Sequence, residues 1–161
     1  MDECIEAAKA RLVWDFYGPV DEWEYLAGLP CSESERMELL KWVFAEGPGY
    51  WDTRVRAGRI LLQEDEAETW QTIEKLVDSP DPDDNGTALT LFEELDDPRC
   101  FELARRWLSD EAHSATQLDA IEYLWEIYPE QVHQRLKILV NHENIYSRPR
   151  AQKLLAQYNS Q

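Results

Sequence analysis

Four alanines recur along the chain at intervals of 31 or 32 residues, and this spacing restricts the fold more than any other feature of the sequence. The alanines are Ala57, Ala88, Ala120 and Ala151. The residues three and four positions after each alanine are apolar or aromatic; they are Ile60 and Leu61, Leu91 and Phe92, Tyr123 and Leu124, and Leu154 and Leu155. Apolar residues at this spacing line one face of an α-helix, so each copy is predicted to begin with an amphipathic helix that buries its alanine.

A second set of apolar residues follows later in the first three copies. It consists of Ile73, Leu76 and Val77, of Ala104, Trp107 and Leu108, and of Leu136, Leu139 and Val140. This set predicts a second helix in each of these copies. A repeat of this length with two amphipathic helices is typical of an α-helical solenoid, because a single helix pair cannot bury its apolar face without its neighbours.

Capping residues and prolines predict where the helices begin. Three pairs fit the capping box, in which side chains satisfy exposed backbone N–H groups: Ser32 with Glu35, Asp65 with Glu68, and Ser114 with Gln117. Further starts are Asp52, Asp97 with Pro98, and Pro129. Helices are predicted at about residues 2–17, 21–28, 33–46, 52–63, 66–78, 85–95, 98–108, 115–127, 129–140 and 147–158. Since the connections are short, successive helices should be antiparallel neighbours.

The start of the first full copy carries a recognisable pattern. Residues 52–61 read Asp-Thr-Arg-Val-Arg-Ala-Gly-Arg-Ile-Leu, and residues 148–151 read Arg-Pro-Arg-Ala. Both resemble the Val-Arg-x-x-Ala-x-x-Leu pattern of short HEAT-like repeats of the phycobilin-lyase type, whereas the copies starting at Asn85 and Gln117 lack the arginine. The resemblance covers about residues 51–158. It implies an all-α, right-handed HEAT-like solenoid of antiparallel helix pairs, and it implies no particular activity.

The chain length predicts a single domain over residues 1–161, because 161 residues suffice for one core. Residues 1–50 do not fit the repeat and are predicted to form an N-terminal helical cap on the repeats of residues 51–158. No apolar run is long enough to span a membrane, and the acidic N-terminus does not resemble a secretory signal, so we expect a cytoplasmic protein. Cys4, Cys31 and Cys100 fit no metal or redox motif and are predicted to be reduced, packed thiols.

The formal charge of −17 is unevenly distributed. Residues 1–63 carry −5, residues 64–130 carry −16 and residues 131–161 carry +4. An acidic surface repels phosphate groups and attracts basic proteins, so the charge disfavours nucleic-acid and membrane partners and favours a basic protein partner. The same charge could also serve solubility alone. The acids nearest to predicted loops and helix ends are the candidate partner-binding residues: Glu64, Asp65, Glu66, Asp81, Asp83, Asp84, Asp96, Asp97, Asp110 and Glu111.

Motifs for catalysis, for a cofactor and for a transition metal are not found in the sequence. The three histidines lack the spacing of a helical zinc site. The Asp81–Gly86 segment has acidic residues and a glycine as in a calcium loop, but Phe92 takes the position of the required bidentate glutamate. An inter-repeat loop leading into an acidic helix start is the simpler interpretation. We therefore predict no catalytic residue, no cofactor and no metal ligand.

Three functions remain open from the sequence. The protein could be an immunity protein that neutralises a basic partner such as a bacterial nuclease toxin, since such a toxin must be basic to hold its substrate. It could be a HEAT-like adaptor for another protein. Alternatively, it could handle a cofactor as the phycobilin lyases do, which would require a sheltered polar pocket. The first two functions both describe a non-enzymatic, acidic scaffold that binds another protein.

Overall fold

The computed structural model describes residues 6, 9, 28, 31–47, 51–95 and 97–160, with only the backbone at positions 51 and 52. Within these residues the regular secondary structure is helical, so the all-α prediction is confirmed. The helices are α1 (Glu33–Glu46), α2 (Trp51–Glu64), α3 (Glu66–Val77), α4 (Pro82–Glu94), α5 (Pro98–Arg105), α6 (Ser114–Leu124), α7 (Pro129–Leu139) and α8 (Ser147–Tyr158). The helices predicted at 2–17 and 21–28 lie outside the described residues, except for the helical positions 6, 9 and 28.

One predicted capping box is complete, and one of the two bonds of a second is found at the start of its helix. Ser32 and Glu35 form the complete box: Glu35 Oε2 accepts from Ser32 N at 2.8 Å, and Ser32 Oγ accepts from Glu35 N at 3.3 Å. Asp65 Oδ1 accepts from Glu68 N at 3.3 Å, which satisfies one N–H at the start of α3. Side chains thus fix the entry of α1 and α3, as the sequence indicates.

The starts at Asp97 with Pro98 and at Pro129 are confirmed, and three other predicted starts are wrong. His113 caps α6, because its Nδ1 accepts from Ala115 N at 3.3 Å, while Ser114 is the first helical residue. Helix α4 begins at Pro82 rather than at residue 85, since Asp81 is its N-cap and proline fits the first turn. Asp52 lies inside α2, which begins one residue earlier at Trp51.

The chain divides into two compact units, residues 1–76 and 77–161, and each is described by itself. In unit 1, α1 contacts α2. Buried Arg54 on α2 donates from Nε to Phe44 O and from a terminal nitrogen to Ala45 O, both at 3.2 Å, in the last turn of α1. The core of this unit is apolar and consists of Leu39, Leu40, Val43, Phe44, Val55, Ala57, Leu61, Trp70, Ile73 and Leu76.

In unit 2, α4 contacts α5 and α6, while α6 also contacts α5, α7 and α8. Helices α7 and α8 contact each other. The first helices of the three copies, α4, α6 and α8, are thus neighbours in order along the unit. The core lies between them and the second helices, and it includes Leu91, Phe92, Leu103, Trp107, Leu118, Ile121, Leu124, Val132, Leu136, Leu139 and Leu154.

The predicted burial of the four alanines is confirmed, because Ala57, Ala88, Ala120 and Ala151 are all 0 % exposed. Most of the apolar columns beside them are buried too. The exceptions are half-buried and occur towards the ends of the predicted stripes; they are Ile60, Leu108, Tyr123, Val140 and Leu155. The single-domain arrangement and the solenoid geometry stay predictions.

The prediction of reduced thiols is wrong for Cys31, which is disulfide-bonded. Because disulfides persist mainly in oxidising compartments, this bond does not support the predicted cytoplasmic location. Cys100 is a free, buried thiol, and burial raises its pKa to about 11, so it stays protonated near neutral pH. Cys4 lies outside the described residues. None of the helices described is both long and apolar enough to cross a membrane.

Candidate functional site

Three connections in unit 2 lead from the end of one helix pair to the start of the next. With the first helical residues that follow them, they comprise residues 78–85, 106–117 and 140–147, and we call this set the junction edge. Trp107 Nε1 donates to Val77 O at 2.9 Å, and Arg106 pairs with Asp78 at 3.1 Å. Ser114 Oγ and Ser147 Oγ are 2.7 Å apart. These contacts hold the three segments side by side.

Asn85 is the central polar residue of this edge and is only 4 % exposed. Its Nδ2 donates to Val77 O at 3.2 Å and to Ser79 O at 3.1 Å, at the end of α3. Its Oδ1 accepts from Thr116 Oγ1 on α6 at 3.2 Å. One buried amide therefore fixes the first connection and joins α4 to α6.

A second buried group, Arg135 on α7, fixes the next connection. Its Nε donates to Gln117 Oε1 at 2.6 Å, one terminal nitrogen donates to Ser109 O at 3.0 Å, and the other pairs with Asp110 at 2.7 Å. Gln117 Nε2 in turn donates to Ala112 O at 2.6 Å. Because Arg135 is itself buried, these bonds define the path of residues 109–117 tightly.

Arg54, Asn85 and Gln117 share one position in the repeat, three residues before the buried alanine. Each is buried, and each donates from its side chain to the backbone C=O groups just before its helix. The middle copies thus replace the arginine by a shorter amide that performs the same task. This polar column could have been found from the sequence, since all three side chains carry N–H donors and stand in identical register. In the last copy Arg148 occupies the position and is exposed.

Two cavities open along the junction edge. The first, about 650 Å³, is lined among others by Asp78, Arg106 and Glu111. The second, about 480 Å³, is lined by residues 112–114 and 142–144. His113 and Ala112 line both, so the two cavities adjoin, and we call them together the groove.

The groove is lined by carboxylates and by two histidines of fixed tautomer. His113 Nδ1 accepts from Ala115 N, and His142 Nδ1 accepts from Asn144 N at 3.1 Å. In the neutral ring the proton is therefore on Nε2, so both histidines can donate to a bound group. The carboxylates of Glu111 and Glu143 are exposed and form no hydrogen bond or ion pair among the described residues. The groove can thus hold a cationic or hydrogen-bonding group of a partner.

No known protein family, characterised protein or solved structure matches this chain. The functional interpretation therefore rests on the residues of the site themselves.

Of the ten predicted partner-binding acids, those described in unit 2 lie at more than one place. Five are on the junction edge: Asp81, Asp83, Asp84, Asp110 and Glu111. Asp97 begins α5, at the other end of α4, and a helix of 13 residues separates the two ends by about 20 Å. Glu64, Asp65 and Glu66 belong to unit 1, at the connection between α2 and α3. Asp96 lies outside the described residues.

Several of these acids already have structural partners. Asp65, Asp81 and Asp97 each accept a backbone N–H at the start of a helix. The hydrogen bond from Arg99 lowers the pKa of Asp97. Ser79 Oγ donates to Asp84 at 2.6 Å, and Asp110 pairs with Arg135. Asp83 and Glu111 are left as exposed acids on the junction edge, and Glu143, which sequence reasoning missed, joins them.

Among the described residues, no group of three or more His, Cys, Asp or Glu side chains is placed to hold a metal ion. The Asp81–Gly86 segment, whose acids resemble the ligands of a calcium loop, is helical from Pro82, and Asp81 is the N-cap of this helix. This geometry differs from the irregular twelve-residue loop of an EF-hand.

Proposed function

We propose that the protein is a non-enzymatic scaffold of HEAT-like helix pairs, and that its junction edge binds a basic protein partner. The order of helix contacts in unit 2 supports the repeat arrangement. The first helices α4, α6 and α8 contact one another in chain order, α5 contacts α4 and α6, and α7 contacts α6 and α8. Stacked pairs of this kind bring the connections between successive pairs to one edge.

The observation that carries the proposal is the groove of the junction edge. Buried side chains, Asn85 and Arg135 above all, fix its shape before any partner binds, which reduces the entropy lost on binding. The exposed carboxylates of Glu111 and Glu143 in the groove, and that of Asp83 elsewhere on the junction edge, are not used by the fold. A rigid concave surface with free acids is suited to lysine and arginine side chains of a partner.

The most concrete form of this partner is a bacterial nuclease toxin. A nuclease carries basic residues where it holds phosphate groups, and an acidic protein seated there would exclude the substrate. The chain charge of −17 would also increase the association rate with such a partner. An adaptor for another basic protein would use the same surface, and the two differ only in the partner.

The test begins with a photo-crosslinking residue at position 111 to capture the partner in the source cell. Association rates are then measured for the purified pair from about 0.01 to about 1 M salt, over which the Debye length falls from about 30 to about 3 Å. We expect the rate to fall steeply with salt. The triple variant Asp83→Asn, Glu111→Gln, Glu143→Gln should associate at least about tenfold more slowly at low salt.

The matched control is the triple variant Glu93→Gln, Glu126→Gln, Glu130→Gln, which removes the same charge from exposed positions outside the junction edge. At about 0.15 M salt, where the Debye length is about 8 Å, it should retain an association rate within about threefold of wild type, because charges farther than a Debye length from the interface are largely screened. A rate that is flat in salt, or that both triple variants reduce equally, would reject the junction edge as the binding surface.

A further inference from the structure

Large apolar side chains are exposed near the C-terminal end of unit 2. Ile138 on α7 is 53 % exposed, and Ile145 and Tyr146, just before α8, are 63 % and 84 % exposed. All three lie at the end of the α7–α8 pair where residues 140–146 connect the two helices. The remaining exposed large apolar residue of the described chain, Ile127, precedes α7 at its other end, about 16 Å away along the helix.

The exposure of Ile145 and Tyr146 is built into a well-defined connection. His142 N donates to Leu139 O at 3.0 Å, and Asn144 Oδ1 accepts from Tyr146 N at 2.9 Å and from Ser147 N at 3.2 Å. Ser147 is also bonded to Ser114. The backbone is thus held so that two large side chains point away from the core. Rigid apolar and aromatic groups of this kind are what binding hot spots consist of.

Two cations flank these side chains. Lys137 precedes Ile138, Arg148 follows Tyr146, and neither forms an ion pair among the described residues. By contrast, Arg135 pairs with Asp110, and Arg150 pairs with Asp119 and Glu122. We call Lys137, Ile138, Ile145, Tyr146 and Arg148 the terminal patch. It consists of exposed apolar residues with two cations beside them in sequence; Glu143 is the single acid of residues 131–161, which carry +4.

We propose that the terminal patch docks a second protein partner through an acidic, amphipathic segment of that partner. Its apolar residues would cover Ile138, Ile145 and Tyr146, and its carboxylates would pair with Lys137 and Arg148. Nucleic acid fits less well, because two free cations are few for phosphate binding and residues 64–130 repel phosphates with a charge of −16. With acids in the 78–85 and 106–117 segments of the junction edge and cations here, the scaffold would hold two partners of opposite charge.

The test uses three fluorescent probes on the full chain: an amphipathic helical peptide of Glu and Leu, its counterpart with Lys replacing Glu, and a single-stranded oligonucleotide. Fluorescence anisotropy should show binding of the Glu/Leu peptide. The double variant Ile145→Ser, Tyr146→Ser and the double variant Lys137→Glu, Arg148→Glu should each weaken it at least about tenfold. The control Ile127→Ser, at an equally apolar and exposed position, should leave it unchanged.

Failure of wild type to bind the Glu/Leu peptide would overturn the proposal, and so would binding by either double variant that is as tight as that of wild type. Tighter binding of the oligonucleotide, with the same dependence on these residues, would overturn it in favour of a nucleic-acid surface. The double variant Asp83→Asn, Glu111→Gln, which leaves the 140–147 segment unchanged, should not alter binding of the Glu/Leu peptide. The terminal patch can therefore fail this test while the proposed function of the junction edge stands, and the junction edge can fail its own test while the terminal patch stands. All substituted side chains are solvent-exposed, and circular dichroism checks that each variant is folded.

Discussion

Single buried polar residues decide how the connections of unit 2 are placed. Asn85 gives both hydrogens of its amide to carbonyl groups at the end of α3 and accepts a hydrogen bond from Thr116. No other residue type of this size offers two donors and an acceptor together. Because the side chain is nearly fully buried, water cannot replace a lost partner, so the identity of this residue matters more than its size.

Replacing Asn85 by Asp changes the shape little but exchanges the two donors for an acceptor. The new carboxylate would face Val77 O and Ser79 O in a buried site. We expect the free energy of unfolding to fall by roughly 2–5 kcal/mol, measured by urea denaturation. The same change at exposed Asn141 should cost no more than about 0.5 kcal/mol. Equal losses at the two positions would show that the Asn85 amide bonds do not stabilise the fold.

Two helices contain a glycine in their interior, and the two sites differ in their surroundings. A Cβ at Gly86 in α4 would meet no atom within 4 Å. A Cβ at Gly58 in α2 would come within 2.7 Å of the ring of Phe44, which is 0 % exposed and cannot move aside. Glycine lowers helix stability through its backbone entropy, so at position 58 close packing compensates for this loss, whereas at position 86 nothing in the structure does.

The substitution Gly86→Ala should therefore raise the free energy of unfolding by about 0.5–1 kcal/mol. The substitution Gly58→Ala should lower it by about 1–3 kcal/mol, because the added methyl group overpacks the contact between α1 and α2. Thermal or urea unfolding of both variants measures the difference. A gain in stability at both positions would show that α1 can move away from α2 without cost.

Over the whole chain, apolar packing and surface charge have separate tasks. The buried columns beside the repeat alanines hold the helices together, and the acids are mostly exposed or cap helix starts. Leu124 is 0 % exposed, while Asp83 is exposed in the first turn of α4. Stability should therefore depend on the first kind of residue, and the charge of −17 should act mainly on association with other proteins.

Truncating Leu124 to alanine should cost roughly 2–5 kcal/mol, because it leaves a cavity in the core of unit 2. Asp83→Asn should change the free energy of unfolding by no more than about 0.5 kcal/mol. Urea denaturation of both variants at neutral pH measures these changes. Similar effects from the two substitutions would refute the register in which Leu124 follows the buried Ala120 by four residues.

The sequence alone determined the helical class, most helix positions and the burial of the four alanines. These depend on local rules: apolar spacing selects the buried face, and capping residues satisfy the first N–H groups of a helix. Helices 33–46 and 147–158 were predicted at their observed bounds for this reason. The cap of α6 was not predicted correctly. The Ser114 side chain is bonded to Ser147, a residue 33 positions away, and His113 caps the helix instead.

Only the tertiary structure decided which polar residues form the candidate site. The sequence grouped ten acids by their nearness to loops, but loops that are alike in composition lie at opposite ends of α4, so Asp81 and Asp97 are separated. Glu143, His113 and His142 share a groove because the connections between successive helix pairs lie side by side. Their proximity depends on contacts such as Arg135 with Gln117 and Asn85 with Thr116, which join residues 18 and 31 positions apart. Such long-range hydrogen bonds form only after the helices have packed, so no local pattern in the sequence could indicate them.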